Sequence, residues 1–352
     1  MERRSDDIGD SNSLTVTAVK GKVSSEGITK NETDPEVMHL AVSQTHNYFA
    51  VGTSNGFAII QNDGSKKQPS THTVVLDEPV CMIEMMYRSN FIALVFANER
   101  NKVIIWDDYE KRTRTEVSFH SDVRNLKLSK DMLVVAVDEK VFVFNFEDLK
   151  CIDQIETFHN PNGIMAISQG EKAINKVVAC PHEFKGMLKV HIFCMKKSIE
   201  NIITAHEAEI GALAINSEGT LIASASVKGT LIRIISVEGG DQLQELRRGS
   251  WKANINYLTF HPTLPLLACC SDRKSVHVFE IKKKVDKSDD EKRPGLFRTR
   301  NIKIKIPEVY KVWGFDTKNH WLTVITKERL IYFVELPKKS SRYFEKAKII
   351  TF

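Results

Sequence analysis

A repeat of about 45 residues is the feature that most restricts the fold of this chain. Two segments, beginning at Ile210 and Ile255, align without gaps as strand, turn, strand, tight turn and strand, and a similar segment begins at Val37. Repeats of about 40 to 45 residues with four strands apiece are typical of β-propeller blades. The chain from Val37 onward accommodates seven such repeats better than six. The sequence therefore predicts an all-β fold, a seven-bladed WD-repeat-like β-propeller.

The period also predicts the domain organisation, which is one propeller preceded by a tail. Residues 1–34 are rich in Ser, Asp, Glu and Lys and nearly free of aromatic residues, which is typical of a disordered segment. Residues 35–352 are assigned to the propeller, with a long polar loop at 282–301. The expected blades are residues 35–77, 78–118, 119–157, 158–204, 205–246, 247–301 and 302–352.

Composition argues against several classes of function. The chain has 352 residues, of which 50 are basic and 45 acidic, and its net charge of +5 is far from that of a dedicated nucleic-acid-binding protein. Its six cysteines lack C-x-x-C spacing, which indicates reduced thiols in a cytoplasmic protein, and no apolar run is long enough to span a membrane. No catalytic or metal-binding motif is found, so we expect no catalytic residue, metal or cofactor.

Two adjacent arginines, Arg247 and Arg248 in "QELRRGSW", lie between the fifth and sixth repeats. Because successive side chains of an extended strand point to opposite faces, the two guanidinium groups are predicted to point toward different blades. Gly249 leaves space for the backbone beside them. Arginine binds phosphate in a bidentate geometry, but the remaining phosphate oxygens need further hydrogen-bond donors.

Such donors recur at matching places in the two repeats. The fifth repeat offers His206, Ser224, Ser226 and Thr230, and the sixth offers Ser271, Ser275 and His277. In the gapless alignment, Ser226 matches Ser271 and Thr230 matches Ser275. Two interpretations remain open on spacing alone. The residues form two phosphate pockets, or they are turn hydroxyls, a structural histidine and solvated arginines of the kind found in many propellers.

These segments resemble the PROPPIN family, seven-bladed propellers that bind phosphoinositides and include the WIPI-type autophagy proteins. The resemblance rests on "LIASASVKGTLIRI" and "LRRG", with similar stretches in "NKVIIWDD", "IETFHNPNGIMAIS" and "ACPHEFKG". It implies binding of phosphatidylinositol 3-phosphate and phosphatidylinositol 3,5-bisphosphate. The first implied pocket consists of His206, Ser224, Ser226, Thr230 and Arg247. The second consists of Arg248, Ser271, Ser275 and His277.

Three details bear on how closely the family pattern is followed. Leu246 replaces the usual Phe and keeps an apolar anchor, whereas Lys274 and Ser275 replace the usual Gly-Thr, so the second pocket is the poorer match. The loop at 282–301 carries Leu296 and Phe297 among basic residues. Its composition alone favours a disordered linker, but the matching family loop enters membranes, so the resemblance implies that Leu296 and Phe297 insert into the bilayer interface.

The function predicted from these observations is that of a monomeric, non-enzymatic phosphoinositide effector that scaffolds autophagy or endosomal machinery. The resemblance implies peripheral association, from the cytoplasm, with autophagosomal-precursor, endosomal or vacuolar membranes. It also implies docking of an autophagy lipid-transfer or adaptor protein around blades two and three, and no nucleic-acid partner is expected. The alternative is a WD-type protein-interaction scaffold without lipid binding. The arginines and their hydroxyl-bearing neighbours favour the lipid interpretation.

Overall fold

The computed structural model of the chain shows β-strands as its regular structure. It describes residues 14–16, 34–62, 70–87, 89–170, 173, 176–194, 198–273, 275–282, 301–305, 313–316, 321–325, 329–335 and 347–351. In these ranges there is no helix of the length and hydropathy needed to cross a bilayer. Leu296 and Phe297, with most of the predicted membrane loop, lie outside the described residues, as does Lys274.

The first three sheets each contain four antiparallel strands in chain order. The first consists of β2 (Val37–Val42), β3 (Tyr48–Thr53), β4 (Gly56–Gln61) and β5 (Thr71–Val75). The second consists of β6 (Val80–Met85), β7 (Phe91–Phe96), β8 (Lys102–Asp107) and β9 (Arg112–Ser118). The third consists of β10 (Asn125–Leu128), β11 (Met132–Ala136), β12 (Lys140–Asn145) and β13 (Cys151–Glu156).

The remaining strands continue the same order, with one addition to the sixth sheet. The fourth sheet consists of β14 (Ala166–Ile167), β15 (Lys176–Pro181), β16 (Met187–Phe193) and β17 (Ser198–Thr204). The fifth consists of β18 (Ile210–Ile215), β19 (Leu221–Ser226), β20 (Leu231–Ser236) and β21 (Gln242–Arg247). The sixth consists of β22 (Ile255–Phe260), β23 (Leu266–Ser271), β24 (Ser275–Glu280), β25 (Asn301–Lys305) and β1 (Leu14–Val16). A further sheet consists of β26 (Trp313–Asp316), β27 (Trp321–Ile325), β28 (Leu330–Glu335) and β29 (Ala347–Thr351).

Burial changes from the inner to the outer strands of each sheet. The second strand of the third sheet, "MLVVA", is buried at every position, whereas the outermost strand of the fifth sheet, "QLQELR", is mostly exposed. Inner strands are covered on both faces by neighbouring sheets and therefore read as continuous apolar runs, while outer strands alternate between apolar and polar residues. Arg247 fits this gradient, because a charged residue is tolerated at the exposed end of an outermost strand.

Neighbouring sheets pack face to face through apolar cores. Between the fifth and sixth sheets, Ile232 and Leu246 pack in one buried cluster with Leu258 and Phe279. The turn between β19 and β20 comes very close to the loop that follows β21. Gly229 has a φ of +60° there, and a Cβ at this position would lie 1.9 Å from the carbonyl oxygen of Ala253. Glycine is therefore required at this turn, and the loop carrying the arginines is held tightly against it.

A cavity of about 590 Å³ lies on the propeller axis. Residues in or beside the first strands of six sheets line it. Among them are the buried Glu84 and the partly buried Lys127, which form an ion pair with 3.0 Å between Oε1 and Nζ. Burial raises the pKa of the Glu84 carboxyl, and the neighbouring Lys127 opposes that rise. In the part of the chain that the structure describes, six blades rather than seven contribute to this wall.

The predicted fold class, a propeller of seven equivalent blades with a disordered tail, is wrong in two respects. First, the described blades around the axial cavity number six; the strands beyond residue 312 pair with one another and reach the first sheet through contacts such as the 3.0 Å hydrogen bond from Thr323 to Asn62. Second, Leu14–Val16 in the supposed tail is a strand that pairs in parallel with β25, so the sixth sheet has five strands. Period counting treats every blade alike and cannot detect a strand donated from a distant, polar segment.

Candidate functional site

The arginine pair lies where β21 ends. Leu246 is 1% exposed and packs into the core between the fifth and sixth sheets. Arg247, the last residue of the strand, pairs with Leu231 and is exposed, and its guanidinium donates to the Ser250 hydroxyl at 3.4 Å. Because side chains alternate along a strand, Leu246 faces the sixth sheet and Arg247 faces the opposite side, toward the fourth sheet.

The face of the fifth sheet that carries Arg247 also carries most of the first predicted pocket. His206 and Ser224 are both buried, and the His206 Nε2 lies 2.8 Å from the Ser224 hydroxyl. Ser226, two residues further along β19, is on the same face, which packs on the fourth sheet through Ile222. The structure therefore brings His206, Ser224 and Ser226 to the same sheet face as Arg247.

The electrostatics of this first pocket depend on burial. Burial, helped by the nearby charge of Arg233, lowers the pKa of His206 to about 4, and the hydrogen bond with Ser224 opposes this shift. Arg233 donates to the Ala205 carbonyl at 2.6 Å and forms an ion pair with Glu245 at 3.1 Å. His206 is consequently neutral at pH 7, so it contributes a hydrogen bond and no charge. Because Arg233 is already paired with Glu245, Arg247 is the exposed cation on this face that can bind an anion.

Arg248 has a different environment from that of its neighbour. Its side chain is only 6% exposed, and its backbone N–H donates to the carbonyl of Thr230 at 2.9 Å. Its guanidinium donates to the carbonyl oxygens of Gly229 and Trp251, and burial lowers its pKa. Arg248 thus joins the turn after β19 to the loop after β21. Thr230 takes part in this contact through its backbone carbonyl.

The second predicted pocket lies on the face of the sixth sheet that is directed at the fifth. Ser271 and Ser275 are paired across β23 and β24, and the Ser275 hydroxyl is 3.3 Å from the His277 Nε2. All three side chains are buried, and they share their face with Phe279, which packs against the fifth sheet. Among the described residues, none forms a hydrogen bond with the Ser271 hydroxyl. A buried hydroxyl in this position is suited to an additional acceptor or donor.

Thr230 and Ser275, which the gapless alignment matches, do not occupy equivalent positions in the two sheets. Ser224 pairs with Arg233, whereas Cys269, at the same position of its own strand, pairs with His277. The turn between β23 and β24 is one residue shorter than the turn between β19 and β20, so Ser275 corresponds to Leu231. The match is therefore wrong by one residue. Turn length is invisible to an alignment that allows no gaps.

Sequence reasoning missed the loop between β21 and β22. Trp251 in this loop is 78% exposed, and its carbonyl accepts a hydrogen bond from Arg248. The neighbouring carbonyl of Lys252 accepts two more from Arg273, at 3.2 and 3.1 Å. The only available signal was the tryptophan itself, placed between a glycine and a lysine in a polar stretch. Across the described ranges, no cluster of three or more His, Cys, Asp or Glu side chains is arranged to hold a metal ion.

The chain is similar to known proteins in sequence and in fold. The PROPPIN family model matches residues 37–298. "Autophagy-related protein 18e" of Arabidopsis thaliana is 32% identical over 257 residues, which cover 71% of this chain and 67% of that protein. The solved structure titled "Kluyveromyces lactis Hsv2 complete loop 6CD" is similar with a TM-score of 0.74 and 21% identity, over 90% of this chain and 99% of that one.

A second solved structure includes a partner. It is titled "Complex of KlAtg21 with coiled-coil of AgAtg16" and is similar with a TM-score of 0.70 and 23% identity, over 90% of this chain and 99% of that one. At these identities the two structures support the fold alone. The matches span 60 to 67% of the length of the first curated relatives.

Proposed function

Because the chain belongs to the PROPPIN family of autophagy-related propellers, we propose that it is a non-enzymatic effector that binds 3-phosphorylated phosphoinositides through Arg247 and Arg248. The observation that carries the proposal is the placement of these two arginines on opposite sides of the fifth sheet. Each arginine is accompanied by hydroxyl groups and a histidine. The ligands are phosphatidylinositol 3-phosphate and phosphatidylinositol 3,5-bisphosphate.

In the first pocket, the exposed Arg247 supplies the charge. Its guanidinium lies at the surface and offers a planar set of N–H donors to a phosphate. Ser226 and the hydrogen-bonded pair of His206 and Ser224 lie on the same sheet face and supply neutral contacts. Thr230 lies in the turn between β19 and β20. A neutral histidine is compatible with this role, because the phosphate charge is balanced by the arginine.

In the second pocket, the hydroxyl of Ser271 is the strongest support for a ligand. It is buried and has no hydrogen-bond partner among the described residues, and Ser275 and His277 lie beside it. Burial raises the pKa of the thiol of Cys269, two positions before Ser271, and Arg248 lies near enough for its charge to oppose that rise. Two of its N–H groups donate to backbone carbonyls, and the guanidinium has further donors that can reach a phosphate.

The wider biological role belongs to the same proposal. We place the protein at autophagosomal-precursor, endosomal or vacuolar membranes, with Leu296 and Phe297 entering the bilayer. A protein partner is supported by the complex of KlAtg21 with the AgAtg16 coiled coil. For this chain, docking of a lipid-transfer or adaptor protein around blades two and three remains a prediction.

Liposome flotation tests the proposal. The wild type and the double variant Arg247→Thr, Arg248→Thr are mixed with vesicles containing phosphatidylinositol, its 3-phosphate or its 3,5-bisphosphate. We expect the wild type to float only with the two phosphorylated lipids and the double variant to remain unbound.

A matched control removes the same charge elsewhere. Arg112 and Arg114 are exposed residues of β9, on the outer edge of the second sheet, and the variant Arg112→Thr, Arg114→Thr is expected to float like the wild type. Equal loss in both double variants would indicate unspecific attraction to charged vesicles. A folded wild type that does not float would refute the proposal and favour the protein-interaction scaffold.

A further inference from the structure

Trp251 is the exposed aromatic residue nearest in sequence to the arginine pair. Its side chain is 78% exposed in the loop between β21 and β22. Exposed tryptophans are uncommon, because indole surface is costly to hydrate and is normally buried. The exposure of the Trp251 indole is therefore explained best by a binding partner that covers it.

The backbone on both sides of Trp251 is fixed although its side chain is exposed. The Trp251 carbonyl accepts a hydrogen bond from Arg248, and the Lys252 carbonyl accepts two from Arg273. Ala253 is 1% exposed, and its N–H donates to the Lys228 carbonyl at 3.2 Å. The indole is thus presented from an anchored loop, which limits the entropy lost when it is immobilised.

Several basic side chains lie at the surface near this loop. Arg247, Lys252 and Arg273 are exposed. The exposed acids close to them in the chain are Asp272 and Glu245, and Glu245 forms an ion pair with Arg233. Lys228 is also exposed and faces Glu207 at 4.0 Å. An amphipathic indole surrounded by cationic side chains fits the headgroup region of an anionic bilayer, where tryptophan is enriched and basic residues are attracted to the surface.

We propose that Trp251 is an interfacial anchor that enters the headgroup region of an anionic phospholipid bilayer while Arg247 and Arg248 hold phosphoinositide headgroups. The inference rests on the proposed function and adds a contact to it. The arginines recognise the headgroup, and the indole contributes apolar contact that only a bilayer can provide. Binding to a vesicle therefore depends on Trp251, whereas binding to an isolated headgroup does not.

The test compares vesicles with the free headgroup inositol 1,3-bisphosphate. Trp251→Ala is expected to weaken binding to vesicles containing phosphatidylinositol 3-phosphate about tenfold and to change headgroup affinity less than about twofold. Trp251→Phe, which keeps an aromatic ring, should show an intermediate loss. With brominated phospholipids, tryptophan fluorescence of the wild type should be quenched more strongly than that of Trp251→Phe.

Tyr109 supplies the matched control. It is 86% exposed in the turn between β8 and β9 of the second sheet, and Tyr109→Ala should bind vesicles like the wild type. The inference would be overturned if Trp251→Ala bound vesicles with wild-type affinity and the brominated lipids quenched the wild type and Trp251→Phe equally. Headgroup recognition would then remain intact. A wild type that binds neither the vesicles nor the free headgroup would instead refute the proposed function, and the anchor with it.

Discussion

The two predicted pockets contain the same types of residue, an arginine, serines and a histidine, but these residues have opposite environments in the two pockets. In the first, Arg247 is exposed, while His206 and Ser224 are already hydrogen-bonded to each other. In the second, Arg248 is buried and bonded to carbonyl oxygens, while among the described residues the Ser271 hydroxyl has no partner. Two adjacent arginines therefore differ in role because one ends the strand at the surface and the next enters the contact between sheets.

The difference has a local cause in the turns. The turn after β19 contains Gly229 with positive φ, which lets it approach the loop after β21 and expose its carbonyl to Arg248. The corresponding turn in the sixth sheet is one residue shorter. The shorter turn aligns Ser275 with Leu231, so the hydroxyls of Ser271 and Ser275 lie directly across the strands from each other.

The largest expected effect is a difference in the free energy of unfolding between variants of the two arginines. Arg248→Ala should lower the free energy of unfolding by about 3 kcal/mol, because it removes the donors to the Gly229 and Trp251 carbonyls and leaves a cavity. Arg247→Ala should change it by less than about 0.5 kcal/mol, since the side chain is exposed. Urea unfolding of both variants measures the difference. Equal losses would remove the distinction between a structural and an accessible arginine.

A smaller difference in stability is expected between variants of Ser224 and Ser271. Ser224→Ala should destabilise the fold by about 1 to 2 kcal/mol, because the buried His206 Nε2 loses its partner. Ser271→Ala should leave the melting temperature unchanged or slightly raised, because it removes a buried hydroxyl that no described residue binds, yet it should weaken vesicle binding. Thermal unfolding and flotation measure the two effects. If Ser271→Ala were strongly destabilising and bound vesicles normally, the hydroxyl would have a structural partner.

The smallest expected effect concerns pH and the first pocket alone. The pKa of His206 is about 4 in the folded chain and near 6.5 in an unfolded one, so between these values the unfolded chain binds a proton that the folded chain does not. Stability from this residue is complete above pH 6.5 and is lost as the pH falls toward 4. From pH 7 to about 5.5, the wild type should lose about 1 kcal/mol more than His206→Gln.

Urea midpoints at the two pH values measure this loss. An identical pH dependence in both proteins would mean that His206 is not held neutral, and the electrostatic contrast with Arg247 would then need revision.

Particular residues show how much of the molecule could be predicted. Strand periodicity predicts the all-β fold, and side-chain alternation predicts that Arg247 and Arg248 diverge, because both follow from the geometry of an extended chain. The family resemblance is confirmed by the match over residues 37–298. The ligand roles of the pocket residues remain predictions.

Other features depend on tertiary contacts that leave little trace in local sequence. The burial of Arg248 depends on carbonyl oxygens, which every residue possesses. The one-residue shift at Ser275 depends on turn length. The pairing of Leu14–Val16 with β25 depends on a segment of three residues among polar neighbours, too short for any period to be recognised.

The parallel pairing of β1 with β25 has a consequence for folding order. It joins Leu14 to Ile302 and Val16 to Ile304, contacts that span most of the chain. Closing so long a loop is slow and entropically costly, and during synthesis the early strand must wait until its partner leaves the ribosome. The blade that carries Ser271 and Ser275 is therefore expected to be completed later than the five blades that precede it in the chain. Its edge should also open first, which would be visible as weak amide protection at residues 14–16 in hydrogen exchange.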